Sequence, residues 1–160
     1  MIKTDFKVNP PYKKSYIFKY GAAAAPKNPC VPRKVVSEGS GLSVQAGEDA
    51  YLVRHDALGV ADGVGGWSAM KSNHSVPISR VQDADPALYS RRLLHHIGME
   101  MEAYDDITNE EISSHDYYHL DPRKVVSKGY KALKEETKRD KILGSTTVLL
   151  CILRVFLFDF

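Results

Sequence analysis

Gly47-Glu48-Asp49-Ala50-Tyr51-Leu52-Val53-Arg54-His55-Asp56-Ala57-Leu58-Gly59-Val60-Ala61-Asp62-Gly63 is the stretch that decides the fold. Two short apolar runs, Ala50–Val53 and Ala57–Ala61, flank a polar His55-Asp56 pair, which is the pattern of a tight β-hairpin. With His55 and Asp56 as turn residues, Arg54 faces Ala57, Val53 faces Leu58, Tyr51 faces Val60 and Asp49 faces Asp62. Residues directly opposed in an antiparallel pair hold their Cβ atoms about 4.5–5.5 Å apart. The face shared by Asp49, Tyr51, Val53, Leu58, Val60 and Asp62 is otherwise apolar, so the expectation is that it points inward. Two carboxylates at the end of a buried face repel each other and lose hydration, which raises one pKa or calls for a cation. Mg²⁺ and Mn²⁺ favour carboxylate, carbonyl and water ligands. Gly63 has no side chain to obstruct its own carbonyl, and Glu48 adjoins from the strand end. The competing expectation is a pair of acids at solvated strand ends.

Outward from the hairpin, residues 1–14 read as a loose basic arm and Ser15–Ala25 as a strand that turns Ala-rich. Pro26, Pro29 and Pro32 then break regular structure. Residues 37–47 read as a loop into the hairpin, and 64–84 as a second, Gly-bearing loop. Asp85-Pro86 opens a helix, since Asp suits the N-cap and Pro the first helical position. Leu93, Ile97, Met101 and Tyr104 share one of its faces. A second helix opens at Asp121-Pro122, with Val126, Tyr130 and Leu133 as its apolar stripe and Lys134–Arg139 as its solvated end. Residues 105–120 form an acidic connector. Ser145–Phe158 reads as a buried strand. The order is strand, hairpin, two helices, strand, an α+β or layered α/β pattern.

The chain has 160 residues, 43% hydrophobic and 26% charged, the balance of one ordinary domain. A net charge of +2 gives no strong attraction to nucleic acid or acidic lipid, although residues 1–47 sum to +6 and 48–160 to −4. The basic start reads as a solvated tail or a weak organelle-import signal; it is Lys-rich and holds Pro10-Pro11, unlike an amphipathic presequence. No secretory signal is expected. The longest apolar run, Val148–Phe158, contains Arg154 and falls short of the ~20 residues of a membrane helix. Cys30 and Cys151 lie far apart without metal-like spacing and suggest reduced thiols. His115 and His119 have the spacing of helical metal ligands but no third ligand beside them. His95-His96 reads as one partly buried and one solvated residue, His55 as a turn residue, and Trp67 as a packing anchor. Gly63, Gly65 and Gly66 lack the following helix that a dinucleotide or P-loop fingerprint needs.

Glu48-Asp49 before one strand and Asp62-Gly63-Val64-Gly65-Gly66-Trp67 after the next resemble the two N-terminal signatures of the type 2C (PPM) metal-dependent serine/threonine protein phosphatases. The valine and tryptophan resemble the mitochondrial-type branch of fungi and animals. Ser15–Ala24, Asp85-Pro86, Asp121-Pro122 and Gly144-Ser145-Thr146-Thr147 resemble further segments of that branch, over about residues 15–153. The resemblance implies a four-layer α-β-β-α sandwich, here incomplete at the C-terminus, and hydrolysis of phosphoserine and phosphothreonine proteins with two Mn²⁺ or Mg²⁺ ions. By matching position, Asp62 bridges the ions, Gly63 ligates through its carbonyl, and Asp49 and Glu48 act directly or through water. The catalytic species is then metal-activated water, with no protein nucleophile. The chain departs from the pattern in carrying Val44 where many members have a phosphate-holding arginine. Arg33 and Lys34 lie too far away in sequence to replace it. The chain also lacks a second half with two further aspartates, and Asp159 has the context of neither. The expectation is a truncated product or incomplete gene model with little turnover, or a pseudophosphatase that binds phosphoproteins or partners. The expected location is intracellular, mitochondrial or cytoplasmic.

Overall fold

A computed structural model of the chain describes residues 18–23, 25, 43–66, 83–105 and 114–154. The basic arm 1–14, the proline-rich segment, Cys30, Arg33, Lys34, Trp67 and Asp159 lie outside the described residues.

Strands β1 (Ser43–Ala46), β2 (Asp49–Val53), β3 (Ala57–Asp62) and β6 (Leu149–Ile152) form an antiparallel sheet in the order β1-β2-β3-β6. Strands β4 (Asp83–Ala84) and β5 (Ile142–Leu143) pair in parallel beside it. Three helices complete the described part: α1 (Pro86–Asp105), the short α2 (Ser114–Tyr118) and α3 (Pro122–Asp140). The architecture is α+β.

The hairpin forms in the expected register. Asp49 pairs with Asp62, Tyr51 with Val60 and Val53 with Leu58, and the Arg54 N–H donates to the Ala57 carbonyl at 2.8 Å across the His55-Asp56 turn. A second hairpin precedes it, because Gly47 adopts φ 67° and lets Ala46 turn back onto Asp49. Ser43–Ala46, expected as loop, is therefore strand.

The sheet's inner face is the opposite of the one expected. Ala50, Leu52, Ala57 and Ala61 are buried under α1, whereas Asp49 and Asp62 are exposed and Val60 is 52% exposed. Both faces of the hairpin are apolar, so hydrophobicity does not choose between them. Size does: a Cβ added at Gly59 would stand 3.1 Å from Leu94 Cδ2, so helix α1 settles where the side chains are small. On the open face, Val44, Tyr51, Val60 and Leu149 form a row across all four strands. Of these, Val44 and Leu149 are 48% and 62% exposed.

Helix α1 starts where its sequence says. Asp85 Oδ1 accepts the Leu88 N–H at 2.9 Å, and Pro86 takes the first helical position. It buries Leu93, Leu94, Ile97 and Met101 against the sheet and α3. Helix α3 is capped by Asp121, whose carboxylate accepts the Arg123 N–H. Its buried stripe is Val125, Gly129, Leu133 and Thr137, displaced by one residue from the expected Val126 and Tyr130. Gly129 decides this: a Cβ there would lie 2.8 Å from Ile97 Cγ1 and 3.0 Å from its backbone nitrogen, so α3 comes closest to Ile97 of α1 where it has no side chain. Tyr130 is left 46% exposed.

Two further expectations change. Among residues 18–23 there is no strand; the Phe18 N–H instead donates to the His55 carbonyl at 3.1 Å. Among the described residues strand β6 lies at the edge of the sheet with Leu149 and Cys151 exposed, so the described part of Ser145–Phe158 is half-buried rather than buried. The connector 105–120 contains α2, and the exposed rings of His115 on it and His119 just after it lie 4.3 Å apart, centre to centre. His95 and His96 are both partly buried.

Candidate metal centre

The open end of the central hairpin carries Asp49 and Asp62 as directly opposed neighbours on its exposed face. A cleft of about 450 Å³ runs beside them, bordered by Asp49, Val60, Asp62, Thr147, Val148 and Leu149. Both carboxylates keep access to water, so the desolvation that an inward-facing pair would suffer is absent. Glu48 occupies the β1–β2 turn, and its carboxylate rests over the Gly65 backbone: a Cβ at Gly65 would come within 2.5 Å of Glu48 Oε2.

The backbone between these acids is held from three sides. The Gly63 N–H donates to the Glu48 carbonyl at 3.2 Å, the Val64 N–H to the Ser145 carbonyl at 3.0 Å, and the Thr147 N–H to the Asp62 carbonyl at 2.9 Å. A side chain at Gly63 would meet the Glu48 carbonyl, Ser90 Oγ (2.7 Å) and the Pro86 carbonyl (2.8 Å). No residue with a Cβ fits this junction of β2, β3 and α1 without moving backbone. Ser145–Thr147, singled out in the sequence by its Gly-Ser-Thr-Thr signature, lies alongside Asp62–Val64 through these bonds and the Gly63–Thr146 bridge.

The donor set consists of carboxylates and a backbone carbonyl, the chemistry of a hard divalent cation. Among the described residues no cation is paired with Asp62. The carboxyl oxygens of Glu48, Asp49 and Asp62 do not, however, converge within 4.8 Å of one another as a trio. The structure brings Asp49 and Asp62 together and leaves Glu48 on the neighbouring turn. These residues suit a cation held partly through water, and Val44 stands exposed on the adjoining strand.

The described residues whose ligand atoms do converge within 4.8 Å are His55, Asp56 and Asp105, at the opposite end of the hairpin. Their carboxylates are already engaged. Asp56 Oδ1 accepts from Arg54 Nε at 3.0 Å, Asp56 Oδ2 accepts from Arg154 Nη1 at 2.6 Å, and Arg54 Nη2 pairs with Asp105. Burial pushes the Asp56 carboxyl up, but Arg154 and Arg54 together outweigh it and hold the group below the usual carboxylate range. A cation there would have to displace two guanidiniums, so this cluster is a structural ion network. Arg154 also stacks over the Tyr117 ring at 4.5 Å and donates to the Tyr117 carbonyl, tying the end of β6 to α2 and the hairpin turn. In the sequence Arg154 only interrupts an apolar run, and Asp56 reads as a turn residue. The available signal is a lone cation at the end of an apolar strand.

Comparison with protein-family models, curated proteins and solved structures finds no match to this chain.

Proposed function

We propose that the chain is a metal-dependent phosphoserine/phosphothreonine protein phosphatase with a type 2C-like sandwich fold. In this reading Asp62, Asp49, Glu48 and the Gly63 carbonyl are the protein's ligands for two Mn²⁺ or Mg²⁺ ions. The observation that carries it is the Asp49–Asp62 register at the open end of the hairpin, beside a cleft of about 450 Å³. The resemblance of Glu48-Asp49 and Asp62–Trp67 to the type 2C signatures supports it. So does the apolar row Val44, Tyr51, Val60 and Leu149, a surface on which a second sheet would pack.

When bound, the ions would supply Lewis-acid chemistry and an acidified water. The protein's own contribution is electrostatic and geometric. Asp49 and Asp62 concentrate negative charge at one strand end, Gly63 offers a carbonyl unobstructed by a side chain, and Glu48, on the neighbouring turn, would accept hydrogen bonds from solvent beside the ions. The bonds to Glu48, Ser145 and Thr147 keep the Asp62–Val64 backbone from turning away under load.

A second reading, a phosphoprotein- or partner-binding module without turnover, is favoured by the Glu48 carboxylate standing apart from the Asp49–Asp62 pair. Hydrolysis of a phosphothreonine peptide by the purified chain in Mn²⁺ separates the two. Turnover that chelator and Asp62→Asn both abolish supports the phosphatase. Folded protein that binds the peptide without metal-dependent turnover supports the module.

A further inference from the structure

Ser90 is fully buried on α1, and its hydroxyl is within bonding distance of two groups: the Pro86 carbonyl of its own helix at 2.8 Å and Thr146 Oγ1, 56 residues away in the chain, at 3.0 Å. Thr146 Oγ1 in turn lies 2.8 Å from the Asp62 carbonyl. Each hydroxyl owns one proton and two acceptor lone pairs, whereas a carbonyl only accepts. The Pro86 carbonyl is already an acceptor for the Ser90 N–H through the ordinary i→i−4 helix bond. Thr146 Oγ1 also lies 3.0 Å from the Thr147 carbonyl, so Ser90 shares its one proton between Pro86 and Thr146, and Thr146 shares its own between Asp62 and Thr147. The arrangement that links α1 to the strand end has Ser90 donating to Thr146 and Thr146 donating to Asp62. Such a chain polarises along its length and is stronger than two isolated bonds.

The relay ends on a peptide plane that matters. The Asp62 carbonyl receives Thr146 Oγ1 and the Thr147 N–H, so both of its lone pairs are used. The other end of the same plane, the Gly63 N–H, is bonded to the Glu48 carbonyl. The Asp62 side chain leaves the Cα before this plane, and the Gly63 carbonyl follows the Cα after it. The plane's tilt therefore sets where both groups point. Ser90 also lies where a Gly63 side chain would be, so α1 presses directly on the junction.

We propose that Ser90 is a positioning residue for the cation centre, acting through Thr146 to fix the Asp62–Gly63 peptide. The inference rests on the metal-centre reading above. Outer-shell partners of metal ligands typically carry 10–100-fold in affinity.

The test is Mn²⁺ binding to the whole chain, followed by electron paramagnetic resonance and calorimetry, with metal-free melting recorded for every variant. Ser90→Ala is expected to weaken Mn²⁺ binding about 10-fold. Thr146→Val, which keeps shape and loses the hydroxyl, should weaken it at least as much, and Thr146→Ser should restore it. Adding Ser90→Ala to Thr146→Val should cost little more, since the relay is already cut. Wild-type affinity in folded Ser90→Ala, with only a lowered melting temperature, overturns the proposal and leaves Ser90 a packing residue. Mn²⁺ binding that Asp62→Asn abolishes but Ser90→Ala spares overturns this inference alone. No Asp62-dependent binding in the wild type overturns the metal-centre reading and this inference together.

Discussion

Replacing Asp56 by Asn keeps the shape of the side chain and removes its charge from between two buried arginines. The Asp56, Arg154 and Arg54 side chains are 7%, 6% and 9% exposed, so none of the three charges can be re-solvated without local opening. Asn retains one acceptor oxygen, while its amide group turns donors toward the other guanidinium. Arg54 keeps Asp105, but Arg154 loses its carboxylate partner, and Arg154 Nη2 is already buried without a hydrogen-bond acceptor. Removing one member of a buried pair costs about 3–5 kcal/mol, and the remaining Arg54–Asp105 bond argues for about 3 kcal/mol here. In a chain of this length that is a drop of roughly 6–12 °C in melting temperature. Urea unfolding followed by circular dichroism measures it at neutral pH. The pH dependence gives a second constraint. Because the folded carboxyl titrates below its ordinary value, its stabilisation is complete above the unfolded pKa of about 3.9 and is lost as pH falls through the folded pKa. The gap between wild type and Asp56→Asn should therefore be constant down to about pH 4 and narrow below it. The paired change Asp56→Leu with Arg154→Met should recover most of the loss, since an apolar pair replaces the ion pair at little cost. A loss under about 1 kcal/mol for Asp56→Asn, or a gap that stays constant well below pH 4, would refute the view that this network locks the hairpin turn to β6.

Gly129→Ala puts a methyl group into the α1–α3 contact, 2.8 Å from Ile97 Cγ1 and 3.0 Å from Ile97 backbone nitrogen, where backbone cannot yield. Chemical denaturation should show a loss of about 1–3 kcal/mol, in spite of alanine's better helix propensity. His95 is held below its ordinary pKa by burial first and by the neighbouring His96 second, against the opposing pull of Glu136 and Glu102. Its folded form resists protonation, so it contributes stability that is full above about pH 6.5 and lost as pH falls through the folded value. His95→Gln should flatten the decline of the urea midpoint in that acidic range; an unchanged slope would contradict it.

The amino-acid sequence determined local events by itself. Two apolar runs around His55-Asp56 can pair in one short register, and that register alone brings Asp49 opposite Asp62. The Asp-Pro pairs at 85–86 and 121–122 start both long helices, because capping and the fixed φ of proline act within a few residues. Tertiary packing decided the rest. It chose the small-residue face of the hairpin for burial, since Gly59, Ala50 and Ala61 admit α1 and the larger Tyr51 and Val60 do not. It shifted the α3 stripe by one residue, because the helices meet at Gly129. It also assembled Ser90, Thr146 and Asp62, and separately Asp56 and Arg154, from segments dozens of residues apart. Periodicity reports that a residue is apolar. The distance at which two surfaces can approach depends on both surfaces together, and only the folded chain contains both.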